Sequence, residues 1–276
     1  MNQNWIVENL NNAFATWNDK LSELWALVAT SPENFKGGAV WAVMQNIHGT
    51  LLAIGYALVV LFFAMSLFKN TANFHELKRP EAALHYLIRF VAAKTAVGYG
   101  MEIMLKVFEV CNGIVSEVAT GMGGISQAMA SLPGEIQTAI ENVGFLASIP
   151  LWLVTILGSL FITVLSFVMI LTVYGRFFRL YMYTALAPIP LATFAGESTQ
   201  SVGVSFLKTY VGVCLEGAVI VLACIIYAGF VTTPNVASGE ATSVVWSYLG
   251  ETIFNMLVLV GLIKGSDRII HEMLGL

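Results

Sequence analysis

Charge is what this sequence has least of. Only 11% of its 276 residues are Asp, Glu, Lys or Arg, against 57% hydrophobic, and the mean hydropathy is +0.78. Soluble domains carry about 25% charged residues, so a water-solvated fold is excluded and a polytopic membrane protein is implied. The apolar runs are long and continuous, not short and alternating. Because backbone polar groups in lipid must be satisfied internally, these runs predict spanning helices and not barrel strands, an all-α fold.

Cysteine is scarce as well. Cys111, Cys214 and Cys224 lie in apolar segments with no CxxC or metal-ligand spacing, and are read as buried thiols packing as small apolar side chains. His48, His75, His85 and His271 are scattered. A lone membrane histidine such as His48 reads as a hydrogen-bonded helix contact before it reads as a ligand. No P-loop, HExxH or GxSxG occurs, so no catalytic residue, cofactor or metal is expected, and any energy for transport comes from a partner or a gradient. The net charge of −4 says little about partners, since placement matters more than the sum.

What is present begins with a stripe. Ile6, Leu10, Phe14, Trp17, Leu21, Leu24 and Val28 recur at steps of three and four, which predicts an amphipathic helix within 1–35, expected on the external side. No basic region followed directly by an apolar core precedes it, so it is not read as a cleavable signal. Its tryptophans suit a membrane interface, and two placements stay open: an interfacial or partner-binding helix, or one packed on the protein's own spans. Spans are expected at 39–68, 88–112, 145–175, 202–231 and 244–263, all within one membrane domain. The helix carrying the second span is expected to start at Pro80, in a first turn that tolerates proline, and to run to about Val110. The stretch 113–144 reads as an external loop folded into a short amphipathic hairpin. Ile125, Met129 and Leu132 precede a Pro133–Gly134 break, and Ile136, Ile140 and Val143 follow it.

The stretch 176–200 opens as RFFRLYMYTALAPIPLATF, nearly apolar enough to be a sixth span. Basic residues argue otherwise. Lys69, Lys78, Arg79 and Arg89 flank one turn, Arg176, Arg179 and Lys208 the next, and Lys264 and Arg268 follow the last span. The loops 113–144 and 232–243 hold no Lys or Arg, but carry Glu117, Glu135, Glu141 and Glu240. If 176–200 does not cross, every one of those basic clusters is cytoplasmic, with the N-terminus outside, the C-terminus inside, and Lys20 and Lys36 as minor exceptions. Pro188 and Pro190 also break a helix, at about 3 kcal/mol each in an interior, so the helix is expected to end near Leu186. The segment then reads as re-entrant or interfacial on the cytoplasmic side, with Arg176 and Arg179 at the headgroups.

Charges also fall inside the expected spans. Lys94, Glu102, Lys106 and Glu109 share the second, where Glu102 and Lys106 have the favourable order for an ion pair and Gly98 and Gly113 permit close helix approach. Glu216 lies mid-way along the fourth and Glu251 in the outer part of the fifth. They read either as a polar lining or subunit seam, or as neutralised structural pairs, for example Glu216 with Lys94.

Two stretches, LKRPEAALHYLIRFVAAKTAV (77–97) and RFFRLYMYTALAPIPLATF (176–194), together resemble the TrbL-like polytopic inner-membrane subunit of conjugative type IV secretion systems, nearest the versions carried by Gram-positive integrative elements. The strongest part is Arg176, Phe177, Phe178 and Arg179 followed by Pro188 and Pro190. The resemblance implies a five-span subunit of the cytoplasmic membrane that contributes to DNA or protein passage and to pilus or stalk assembly. It further implies a ring-forming homo-oligomer, such as a pentamer, partnered by secretion ATPases and pilin-like or stalk proteins. Buried charges alone would fit a different class, an independent small-solute or ion transporter, although no inverted repeat is visible.

Overall fold

A computed structural model describes residues 4–71, 80–120, 129–143, 148–230 and 241–275, and among these no strand occurs. The helices are α1 (Asn4–Val28), α2 (Ala39–Thr71), α3 (Pro80–Gly98), α4 (Gly100–Thr120), α5 (Gly134–Glu141), α6 (Ser148–Leu186), α7 (Pro188–Ala192), α8 (Gln200–Phe230) and α9 (Ala241–Leu274). Short 3-10 turns occupy Phe35–Gly38 and Thr193–Ala195. Four stretches are long and apolar enough to cross a membrane: Phe35–Lys69, Ile149–Leu186, Gln200–Phe230 and Thr242–Leu274. The protein is an all-α polytopic membrane protein.

The stretch expected as a second span, 88–112, falls outside that set because α3 and α4 carry Arg89, Lys94, Glu102, Lys106 and Glu109. α3 and α4 meet at Tyr99 without losing the ladder, since Tyr99 N–H donates to the Thr95 carbonyl and Ile103 N–H to that of Tyr99, both at 2.9 Å. The third span likewise runs on past 175, and α6 continues to Leu186. Its 39 residues extend about 58 Å, nearly twice a hydrocarbon core about 30 Å thick.

The chain divides into two compact units. One comprises Met1–Ala29, Val115–Gly175 and Gly217–Ser266. In it the whole apolar stripe of α1, from Ile6 through Val28, is buried. Trp5 lies against Trp152 with centroids 6.1 Å apart, Phe14 meets the edge of Tyr248 at 6.5 Å, and Asn18 bonds both ways with the backbone of Ala130. Of the two placements open for α1, the structure has it packed on the protein's own helices. Ile136 and Ile140 of α5 and the following Val143 are buried too. Met129 and Leu132, expected in a helical arm before the Pro133–Gly134 break, lie in irregular backbone. Ile125, His75, Lys78, Arg79 and Glu240, with most of the loop 232–243, lie outside the described residues.

The other unit comprises Thr30–Ile114, Arg176–Glu216 and Asp267–Leu276. Here α2 and α3 pack against each other and jointly grip α7 and the 3-10 turn that follows it. Gly98 permits this approach: a Cβ there would lie 2.8 Å from the Tyr56 hydroxyl. Gly113, expected to do the same, faces open space. The end of α6 and the start of α8 run antiparallel, Arg176 reaching Val213 and Tyr183 meeting Phe206 at 5.9 Å.

Candidate functional site

The site is built where α6 ends. Pro188 lacks an N–H and its ring crowds the carbonyl four residues back, so α6 stops at Leu186. Pro188 and Pro190 then occupy the first turn of α7, where backbone N–H groups have no helical partner to lose. The missing N–H of Pro188 leaves the Thr184 carbonyl without its helical donor. His48 of α2 supplies one, with Nδ1 2.8 Å from that oxygen. A carbonyl only accepts, so Nδ1 carries the proton and Nε2 presents its lone pair. The imidazole is buried, and Gly100 makes room for it, a Cβ there falling 3.3 Å from His48 Cε1. His48 is thus a structural contact that completes a proline break. Replacing it with phenylalanine is expected to strand the Thr184 carbonyl and cost about 1–3 kcal/mol. Replacement with glutamine, whose amide still donates, should recover much of that in a thermal melt of the detergent-extracted protein.

The break fixes a corner. Leu191 N–H closes onto the Ala187 carbonyl at 3.1 Å, and Thr199 Oγ1 donates to the Thr193 carbonyl at 2.8 Å. Glu197 N–H reaches Ser66 Oγ of α2 at 3.5 Å. Residues 176–186 are therefore the last three turns of α6, and 188–195 a tight corner. No helix of spanning length lies between α6 and α8.

Three turns before the corner is a charge cluster. Arg176 is fully buried, not at a headgroup surface. Its Nε donates to the Val213 carbonyl at 3.1 Å and its Nη2 to that of Cys214 at 3.0 Å, while the guanidinium lies 5.9 Å from the centre of the Phe108 ring. Arg179 Nη2 donates to both carboxylate oxygens of Glu216, at 2.8 and 2.7 Å, and Nη1 to Asp267 of α9. The Glu216 side chain is 1% exposed. Beside Asp267 stands His271, 3.7 Å away. Phe177 is buried in a stack on Phe35 at 4.1 Å, while Phe178 points outward.

Of the sequence-predicted residues, the structure brings together Arg176, Arg179 and Glu216, with Pro188 and Pro190 one corner away. Glu216 pairs with Arg179, not with Lys94, which is exposed on α3. Glu102, Lys106 and Glu109 share an exposed face of α4, where Lys106 pairs with Glu109 at 2.6 Å in place of the expected Glu102. Sequence reading missed Asp267 as a partner. Its signal was weak: one acidic residue between Lys264 and Arg268, within a basic cluster. Among the described residues no group of His, Cys, Asp and Glu could hold a metal ion. The cluster binds charge to charge across three helices, and what its buried ion pair can do is lock α6, α8 and α9 in register.

Compared with known proteins, the sequence matches over residues 17–188 the protein family described as TrbL/VirB6 plasmid conjugal transfer like protein. The matched region covers more than half of the chain and ends within the corner. No curated protein and no solved structure matches.

Proposed function

The chain belongs to the TrbL/VirB6 plasmid conjugal transfer-like family, and from that premise we propose that it is a channel or scaffold subunit of a conjugative type IV secretion system. The observation carrying this reading is the family match running from α1 through the Arg176–Pro188 stretch. The subunit contributes to passage of DNA or protein substrate and to pilus or stalk assembly, and performs no catalytic step of its own. Secretion ATPases supply the energy, and pilin-like or stalk proteins dock on its outer side. It works as a ring of identical copies, such as a pentamer, in the cytoplasmic membrane.

In this reading the N-terminus is outside and the C-terminus in the cytoplasm. Support comes from the basic residues Lys69, Arg89, Arg179 and Lys208, which lie in the helices on either side of the two proposed cytoplasmic turns, and from loops 113–144 and 232–243, which have none. The antiparallel return of α8 along α6 after the corner brings Lys208 back to the end where Arg179 lies. The rival reading, a small-solute or ion transporter, leans on Glu102, Lys106 and Glu216 as charges within the spans, and it is weakened because Glu216 is already engaged with Arg179. Deleting the gene is expected to abolish conjugative transfer while the secretion ATPases stay at normal levels, with transfer restored by the gene in trans. Undiminished transfer in the deletion strain would sink the proposal. Solute flux by the purified protein alone in liposomes would favour the transporter.

A further inference from the structure

A recess opens where α2 ends against the corner, inside a single compact unit. Gly196 lets the corner close on α2, since a Cβ there would lie 3.1 Å from the Phe62 carbonyl oxygen. One turn further along α2, Glu197 N–H reaches Ser66 Oγ at 3.5 Å. The next turn carries Lys69, the last residue of a stretch long and apolar enough to cross a membrane. The space between them is about 270 Å³, lined by Ser66, Lys69, Glu197 and Ser198. Pockets that take a drug-sized molecule measure about 300–1,000 Å³, so this one suits a small polar group.

Its donors are unspent. Ser66 forms the floor, 3% exposed, and among the described residues its hydroxyl hydrogen meets no acceptor. Thr50 and Thr209, by contrast, turn theirs back on the carbonyl four residues earlier. Lys69 and Ser198, exposed at the rim, have no side-chain partner among the described residues either. Two hydroxyls and an ammonium share the recess, a set that fits phosphate oxygens. Glu197 at the same rim works against a bare phosphate, because like charges repel. With Lys69 and Glu197 both lining it, the recess has no net formal charge, and the group that suits it carries a phosphate and a cation together.

The surface beside it is apolar. Leu61, Met65 and Lys69 stand in one row of α2 at steps of four. Leu61 and Met65 are exposed, as is Phe68 at 77%. Lipid tails are as apolar as leucine, so on a spanning helix this row is a track for an acyl chain that ends on the Lys69 ammonium. We propose that the recess binds the headgroup of a zwitterionic aminophospholipid such as phosphatidylethanolamine. Lys69, Ser66 and Ser198 hold the phosphate, Glu197 takes the ammonium, and a chain lies along Leu61 and Met65. Bound there, the lipid ties the end of α2 to the corner. A lysine that merely snorkels to the headgroups makes no use of Glu197 and favours an anionic lipid.

The proposal goes beyond the secretion role and needs only that α2 spans. The test uses the full-length protein in detergent, with bound species counted by native mass spectrometry. Dihexanoyl phosphatidylethanolamine is titrated beside dihexanoyl phosphatidylglycerol, phosphoethanolamine and inorganic phosphate. The first should fill one saturable site at least roughly tenfold more tightly than the other three. Lys69→Gln and Glu197→Gln should each erase that margin, whereas Lys208→Gln, an exposed position outside the recess, should leave it intact. Equal binding of the two lipids would mean a snorkelling lysine only. Phosphoethanolamine or phosphate binding as tightly as the lipid would mean a soluble ligand. No saturable site, or variants that bind as the wild type does, would put the lipid elsewhere. Each of these results overturns the proposal, and none bears on conjugative transfer, which the gene deletion tests separately.

Discussion

Glu216→Ala is expected to destabilise the protein more than Arg179→Met, although both changes break the same ion pair. Glu216 is almost fully enclosed and accepts two hydrogen bonds from Arg179. Its charge also acts on Arg176, whose own hydrogen-bond partners include the backbone carbonyls of Val213 and Cys214. Carbonyl dipoles solvate a guanidinium but do not neutralise it. Taking Glu216 away therefore removes a counter-charge from one fully buried cation and the bidentate partner from a second, which keeps its contact to Asp267. Removing one member of a buried pair costs about 3–5 kcal/mol, and the upper end is expected here. Arg179→Met is milder, because Glu216 keeps the field of Arg176 and the methionine stem refills the space. Thermal melts of both variants in detergent give the order. If Arg179→Met melts as low as Glu216→Ala, Glu216 serves a single arginine and the cluster is an ordinary pair.

How much of this could be read in the sequence differs by residue, and for physical reasons. The α1 stripe was legible because a period near 3.6 needs only local spacing. The end of α6 was legible because Pro188 acts on its own backbone. The burial of Arg176 was not. Charge suggested a place at the headgroups, but a helix can carry an arginine inward where it finds carbonyls on a neighbouring helix. Those acceptors lie 37 and 38 residues along the chain, beyond any local pattern. The partner of Glu216 was misread for the same reason: pairing depends on which helices are neighbours, and the antiparallel return of α8 is set by the corner. The Glu102–Lys106 pair failed more locally, since Glu109 is within reach of Lys106 one turn further on. His48 was read correctly as a helix contact, though not as the donor that replaces the proline's missing N–H.

Gly55→Val is expected to unseat the corner, whereas Gly49→Ala on the same helix leaves it in place. A Cβ at Gly55 would lie 2.9 Å from Pro188 Cβ, 3.0 Å from the Pro188 carbonyl oxygen and 3.0 Å from Val97 Cγ1. Two of these belong to a proline whose ring and backbone have no rotamer to change, so α2 must move away from both α7 and α3. Overpacking of this kind costs about 1–3 kcal/mol, and the β-branch adds two methyls to a gap that will not admit one. Gly49 has nothing within 4 Å of the same position, and there alanine gains up to about 1 kcal/mol of helix propensity. α7 has only five residues, far below the length at which an isolated helix persists in water, so its place depends on the two helices that grip it. The Gly55→Val protein should melt lower, become sensitive to protease between residues 187 and 199, and fail to restore transfer in a deletion strain. Gly49→Ala should match the wild type in all three assays. If Gly55→Val also restores full transfer, the corner tolerates displacement and the stretch from Arg176 to Pro190 owes its part in the subunit to the arginines alone.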